Sequence, residues 1–357
     1  MAKARKSQLN PRLPKPTEAA TAAVLTGAAA VGGKLAKDRL SAARQEDARA
    51  YRLKRTEFVP DGMRRIARGQ LDAGIEELEG QPNRKLDEAV HETRKRLKRL
   101  RASLRLERSA IGDETYRREN AVFREMGRRL SAPRDAMVLI ETLDGLTDRF
   151  RDELAPEATG RLRDEFEQTH QQALTKLRRN KATIEAVRAE LEEARVRSAS
   201  WMYEADGFDA VRPGLERIYR RGRRAMRAAA EEPSTEHLHE WRKRAKDLWH
   251  AVQIVRPAAP KRMKRLAKEA HGLSDLLGDD HDLAVLRQEV VLSHAGFEQE
   301  ATRMAVLAAI DRRRASLQRR AFKLGARIYG PPPKAFARSV ERNWRKRAPK
   351  HPEPVAG

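Results

Sequence analysis

From Pro60 onward, apolar residues recur at helical spacing along most of the chain. Met63, Ile66, Leu71, Ile75 and Leu78 mark one face of a helix that Asp61 can cap and that Gly80, Pro82 and Asn83 end. Val90, Leu97, Leu100, Leu104 and Leu106 mark a second helix, closed by Gly112, a residue suited to the left-handed position after a helix. Asp113 opens a third, to about Leu130, and Ser131 with Pro133 opens a fourth. Asp135 then falls in a first helical turn, where a carboxylate favours the dipole. A mixed-charge helical pattern runs on from about Asp148 to Ser198, with a turn near Pro156 to Gly160. Beyond Phe208 come a helix to Glu232, a helix through His239 to Pro257 and a third carrying Lys261. A break is predicted at Gly278 and Asp279, with a fresh helix start at His281 and Asp282. A long helix from about Glu298 to Ile328 and a short one from Lys334 to Arg347 complete the pattern. No segment alternates with the period of a strand, so the expected fold is all-α.

The polar positions change the picture. On the second helix His91, Arg94, Lys98, Arg101 and Arg105 are spaced by three, four, three and four. They share one face, roughly 5 Å apart along the axis. Like charges at such spacing cost a few tenths of a kcal/mol per pair. A row with no Asp or Glu interleaved needs an anionic partner or full solvation, and for a single row solvation is the simpler account. The row, however, occurs twice. His239, Glu240, Arg242 and Lys246 repeat His91, Glu92, Arg94 and Lys98 at a distance of 148 residues. The segment from Gly278 to Leu286, GDDHDLAVL, resembles that from Ser131 to Leu139, SAPRDAMVL, at a distance of 147. Two motifs in the same order at nearly one offset indicate an internal duplication. Each copy holds four to five helices. The expected architecture is therefore two four-helix bundles with long helices, related by a pseudo-twofold axis, over residues 57–200 and 201–348.

The 357 residues carry 76 Lys and Arg against 52 Asp and Glu, a formal charge of +24. Such a chain attracts polyanions: nucleic acid, anionic lipid or polyphosphate. Aromatic residues make up 5% and mean hydropathy is −0.78, which suits surface-rich helices with thin aliphatic cores. Cysteine is absent, which excludes a disulfide framework, a thiolate zinc site and a thiol nucleophile. No apolar run reaches the roughly 20 residues of a membrane span. Residues 1–56 hold thirteen Lys and Arg against four Asp and Glu around an Ala- and Gly-rich middle. They read as a mostly disordered basic arm, and residues 349–357 as a disordered tail.

The two H-x-x-R-x-x-x-K helices, Arg134 with Asp135, His281 with Asp282, and the run from Leu324 to Arg327 followed by Pro333 to Phe336 together resemble the CHAD family, named for its histidine-bearing α-helical domain. The resemblance spans roughly Phe58 to Trp344. It implies basic faces of both halves lining a central groove or pore, and inorganic polyphosphate as the ligand. Residue by residue it carries over to His91, Arg94, Lys98, Arg101 and Arg105, and to His239, Arg242 and Lys246. The second copy departs downstream, with Trp249 where the first has Arg101. Arg117, Arg124, Arg128, Arg134, Lys261, Lys264 and Lys268 form a second rank of cations. For His91 and His239, ligand contact and an inter-helix hydrogen bond stay open as alternatives.

Two other readings compete with polyphosphate binding. Single-strand nucleic-acid binding uses aromatic platforms, and none interleaves the His91 row; sequence-nonspecific binding, with the basic arm contributing, is the alternative partner reading. Phosphoryl transfer wants clustered carboxylates around a metal, and only the GDDHD stretch offers them, where a helix start explains it more simply. A binding protein without catalytic residues, cofactor or metal is expected, cytoplasmic and associated with polyphosphate granules.

Overall fold

A computed structural model describes residues 46–47, 49–79, 86–154, 159–179, 181–293, 297 and 299–346. The basic arm up to residue 45, and the tail, lie outside the described residues. Among the described residues α-helices follow one another as α1 (Val59–Leu78), α2 (Leu86–Ile111), α3 (Asp113–Arg129), α4 (Ala132–Arg149), α5 (Gly160–Arg179), α6 (Lys181–Ala199), α7 (Arg212–Glu231), α8 (Thr235–Ile254), α9 (Pro260–Leu292), α10 (Glu300–Ile328) and α11 (Pro333–Arg345). No strand occurs among the described residues, which form an all-helical fold as expected.

Local chemistry accounts for the helix ends. Proline stands in the first turn of α1, α7, α9 and α11, where its missing N–H has no helical partner to lose. Ser234 caps α8, its hydroxyl accepting from the His237 N–H at 3.2 Å. Gly112, at φ +79°, makes the turn between α2 and α3.

The predicted break at Gly278 and Asp279 is not there. α9 runs unbroken for 33 residues, with GDDHD in its middle. Tertiary partners explain the difference. Asp280 is buried and accepts from Gln318 Nε2 at 2.8 Å and Arg314 Nε at 3.2 Å, both on α10. Gly278 is buried where Arg242 lies close: a Cβ there would stand 3.6 Å from its Nε. In the first copy Pro133 follows Ser131, and the chain is parted into α3 and α4 at the corresponding point.

Three cores hold the helices. One gathers α1, α2, α3 and α6 around Leu71, Leu100, Leu104, Phe123 and Leu191. Another joins α7, α8, the first half of α9 and α11 around Tyr219, Trp241, Leu248 and Phe336, and takes in Tyr51 and Leu53. The packed unit therefore begins at Tyr51, within the segment read as arm. The third core joins α4 and α5 to the far halves of α9 and α10 through Leu143, Leu162, Leu286, Val306 and Ile310. Helices from both sequence copies thus share one core, and α2 also packs along α7 and α8.

One buried acid sits at the end of α2. Glu107 is inaccessible to solvent and accepts from Tyr203 Oη at 2.6 Å, while its Oε1 has no protein partner. Burial pushes its pKa up to about 8, against the hydrogen bond from Tyr203 and the charge of Arg64. Between the ordinary pKa and 8 the folded chain keeps a proton that the unfolded chain has released, so stability falls as pH rises through that window. Each unit is worth about 1.4 kcal/mol. Glu107→Gln is expected to stabilise the protein on the order of 3 kcal/mol more at pH 7 than at pH 5. Urea unfolding of both proteins at both pH values measures this; an equal effect of the substitution at the two pH values would contradict it.

Candidate functional site

The two histidine helices pack against each other, and with α4 and α9 they enclose a cleft of about 560 Å³. His91, Arg94, Lys95 and Lys98 enter from α2, Arg242 and Lys246 from α8, Arg134 and Asp135 from α4, and His281 and Asp282 from α9. Six cationic side chains line the space against two carboxylates.

Each motif arginine leans on the aspartate of its own copy. Arg94 lies 3.4 Å from Asp135 and donates to the Ser131 carbonyl at 2.8 Å. Arg242 lies 3.7 Å from Asp282. The lysines have no such partner: neither Lys98 nor Lys246 forms an ion pair among the described residues. Lys98 is pushed down to about 8, first by loss of water between the cleft walls and then by Lys246, Arg94 and Arg242. Lys246 is pushed to about 8 by burial and Arg242, with Asp282 and Asp275 opposing. Lys98 nonetheless keeps more than a third of its surface open to solvent, so water still screens this crowding.

His91, His239 and His281 are all held below the ordinary imidazole pKa. Burial and Arg134 lower His91. Burial, Arg242 and Lys246 bring His281 to about 4. His239 does not line the cleft. Its ring lies against that of His281, centroids 4.2 Å apart, and burial with His281 brings it to about 4. No hydrogen bond joins the two rings, and the Nδ1 of each is buried without a protein partner. His281 thus holds the place at the wall that the sequence row assigns to His239.

The remaining predicted cations lie elsewhere. Arg101 donates to Asn120 at 3.1 Å, and Arg105 lies 3.3 Å from Asp247 on α8. Neither lines the cleft. Arg117 and Arg128 pair with Asp113 and Glu125 on their own helix, and Arg124 is exposed on α3. Arg134 lines the cleft and holds Glu141 at 3.0 Å. Lys261, Lys264 and Lys268 are exposed along the first half of α9. Trp241 is fully buried, and Trp249 lies against the rings of His250 and His271 at a tilt. Lys95 also lines the cleft without having been singled out, and so do Asp135, His281 and Asp282, which entered the sequence reading as positions carrying the resemblance and not as binding residues. The recurrence of Asp282 opposite Asp135 was the available signal. A second hollow, between α4 and α9, extends the cleft, sharing Arg134, Val138 and Asp282 with it.

Among the described residues no helix is long and apolar enough to cross a membrane. No curated protein matches the chain. Residues 65–291, well over half of its length and including both histidine helices and the cleft, match the CHAD domain. The chain therefore belongs to the CHAD domain family.

Proposed function

We propose that this protein binds inorganic polyphosphate in the cleft between α2, α4, α8 and α9, and does so without catalysing a reaction on it. One observation carries the reading: the Arg and Lys of both duplicated motifs line a single cleft, in excess over its carboxylates. Arginine grips phosphate oxygens with a rigid fork, lysine as a mobile point charge, and a chain of repeating charges engages both along its length. The family is associated with polyphosphate binding, which points the same way. In this reading His91, Arg94, Lys98, Arg242 and Lys246 contact the ligand directly, with Arg134 and His281 at the walls. His239 supports His281 from behind, and Arg101 and Arg105 continue the row beyond the cleft. We read the halves, residues 57–200 and 201–348, as duplicated copies of one helical unit related by a pseudo-twofold axis. The protein works in the cytoplasm, gathering at polyphosphate granules.

Nucleic acid is the other polyanion a charge of +24 attracts. The cleft favours the thinner chain. No Tyr, Phe or Trp lines it to stack a base. The test is a competition at physiological salt. Long-chain polyphosphate is expected to displace labelled single-stranded and duplex DNA, and its affinity to fall steeply, by about a factor of ten or more, between 50 and 200 mM salt. Displacement in the opposite direction, or an affinity indifferent to salt, would overturn the reading.

A further inference from the structure

The basic row on α2 does not stop at the cleft. Lys98, Arg101, Arg105 and Arg108 follow one another along the helix, and at about 1.5 Å per residue Arg108 stands roughly 15 Å along the axis from Lys98. There the row meets a second recess, between the end of α2, the start of α3, α7 and α8. Arg105, Arg108, Arg217, Arg221 and Arg244 line it, with Asp247 as the one carboxylate on its wall among the described residues.

The charges here are only partly matched. Asp247 is shared by Arg105, at 3.3 Å, and Arg244, at 2.9 Å. Arg244 and Arg221 both approach Glu240, at 3.1 and 3.7 Å. Arg108 is held by Asp113 at 2.7 Å and lies over the Tyr116 ring, which fixes its guanidinium at the rim. Arg217 donates to two neutral oxygens, Ser109 Oγ at 2.9 Å and the Arg105 carbonyl at 2.8 Å. Burial and the neighbouring Arg108 lower the pKa of Arg217, and burial and Arg244 lower that of Arg221. An anion entering the recess relieves this crowding. The recess encloses only about 10 Å³. That is room for one water-sized group, so a phosphoryl oxygen fits and a nucleobase does not.

We propose that this recess is a second phosphate seat, which takes a phosphoryl oxygen of the same polyphosphate chain that lies in the cleft and thereby sets a minimum chain length for tight binding. The inference rests on the polyphosphate reading above. A short chain fills the cleft alone. A chain long enough to follow α2 for roughly 15 Å reaches both places, and its second contact is made at high effective concentration.

The test uses the full chain, with tripolyphosphate and long-chain polyphosphate titrated against the wild type, Arg217→Glu with Arg221→Glu, and Arg217→Gln with Arg221→Gln. The Gln pair removes the charge without introducing the opposite one, and replaces the Glu pair if that fails to fold. The recess variants are expected to lose about tenfold or more in affinity for the long chain and to bind tripolyphosphate as the wild type does. Unchanged binding of the long chain would overturn the second seat and leave the cleft reading standing. Equal losses for both ligands would overturn it too, because the recess would then act on the cleft itself. A wild type that binds neither ligand would remove the polyphosphate reading, and this inference with it.

Discussion

Replacing Lys98 and Lys246 together by glutamate is expected to lower polyphosphate affinity by at least about a hundredfold while leaving the helices folded. A hydrogen bond to a charged group contributes about 1.5–3 kcal/mol, and about 1.4 kcal/mol is a factor of ten, so losing two such contacts already reaches that scale before the new repulsion is added. These two lysines are the right probes because they are not spent on the fold. Arg94 holds the Ser131 carbonyl and Asp135, and Arg242 lies beside Asp282 and Gly278, so changing either arginine disturbs the packing of α4 or α9 as well as the cleft. The lysines form no ion pair among the described residues, and the folded state carries the cost of their burial and of crowding by Arg94 and Arg242, only partly offset by Asp135, Asp282 and Asp275. Their pKa values, about 8, lie below the ordinary lysine value. The penalty is therefore present in full below pH 8 and fades as pH rises from 8 towards 10.5, where the unfolded chain binds protons that the folded chain has released. The double variant should be at least as stable as the wild type at pH 7. A phosphate chain favours the protonated lysines, so wild-type affinity should also weaken between pH 7 and 9. Titration calorimetry and urea unfolding read these effects. Retained affinity in a folded double variant would move the binding site out of the cleft.

The sequence was informative where the physics is local, and less so where it depends on distant partners. Helical periodicity with Pro and Gly at the ends located most helices within a few residues, as with α8, bounded by the Ser234 cap and stopped before Pro257. The continuity of α9 was hidden because what sustains it, Arg314 and Gln318 on Asp280, comes from another helix. The third core was hidden for the same reason. Its apolar residues look like those of any helix face, and nothing in their spacing says that α4 and α5 pack on α9 and α10. The duplicated motif singled out Arg94, Lys98, Arg242 and Lys246, and the structure brings these four to one cleft. Spacing along a helix fixes a face, but it does not say where the neighbouring helix parts from it. Arg105, on the same face as Lys98, meets Asp247 instead of the cleft. His239 turns to His281, a contact set by the course of α9.

Gly214→Ala is expected to be the most damaging small change in the chain, and it tests how α2 is held. Gly214 lies in the first turn of α7, where that helix crosses α2. A methyl group there would fall 1.6 Å from the carbonyl oxygen of Leu106 and 2.5 Å from its carbon. The obstacle is the backbone of a buried helix, which cannot rotate away as a side chain would, so α2 and α7 must separate. Overpacking of a core typically costs 1–3 kcal/mol and more where nothing yields, so a loss of about 3 kcal/mol or greater is expected. Gly69, exposed within α1 with nothing near its missing Cβ, is the matched control. Alanine there only improves helix propensity and should add up to about 1 kcal/mol. Opposite signs for the same chemical change, read by urea unfolding, would tie the effect to the α2–α7 crossing. That crossing bears on function as well as stability. Leu106 lies between Arg105 and Arg108, and Gly214 one helical turn before Arg217, so moving the helices apart opens the recess those arginines line. A Gly214→Ala protein with less than about 1 kcal/mol of destabilisation would mean that the two helices are free to slide, and the row of cations along α2 would lose its fixed alignment with α7.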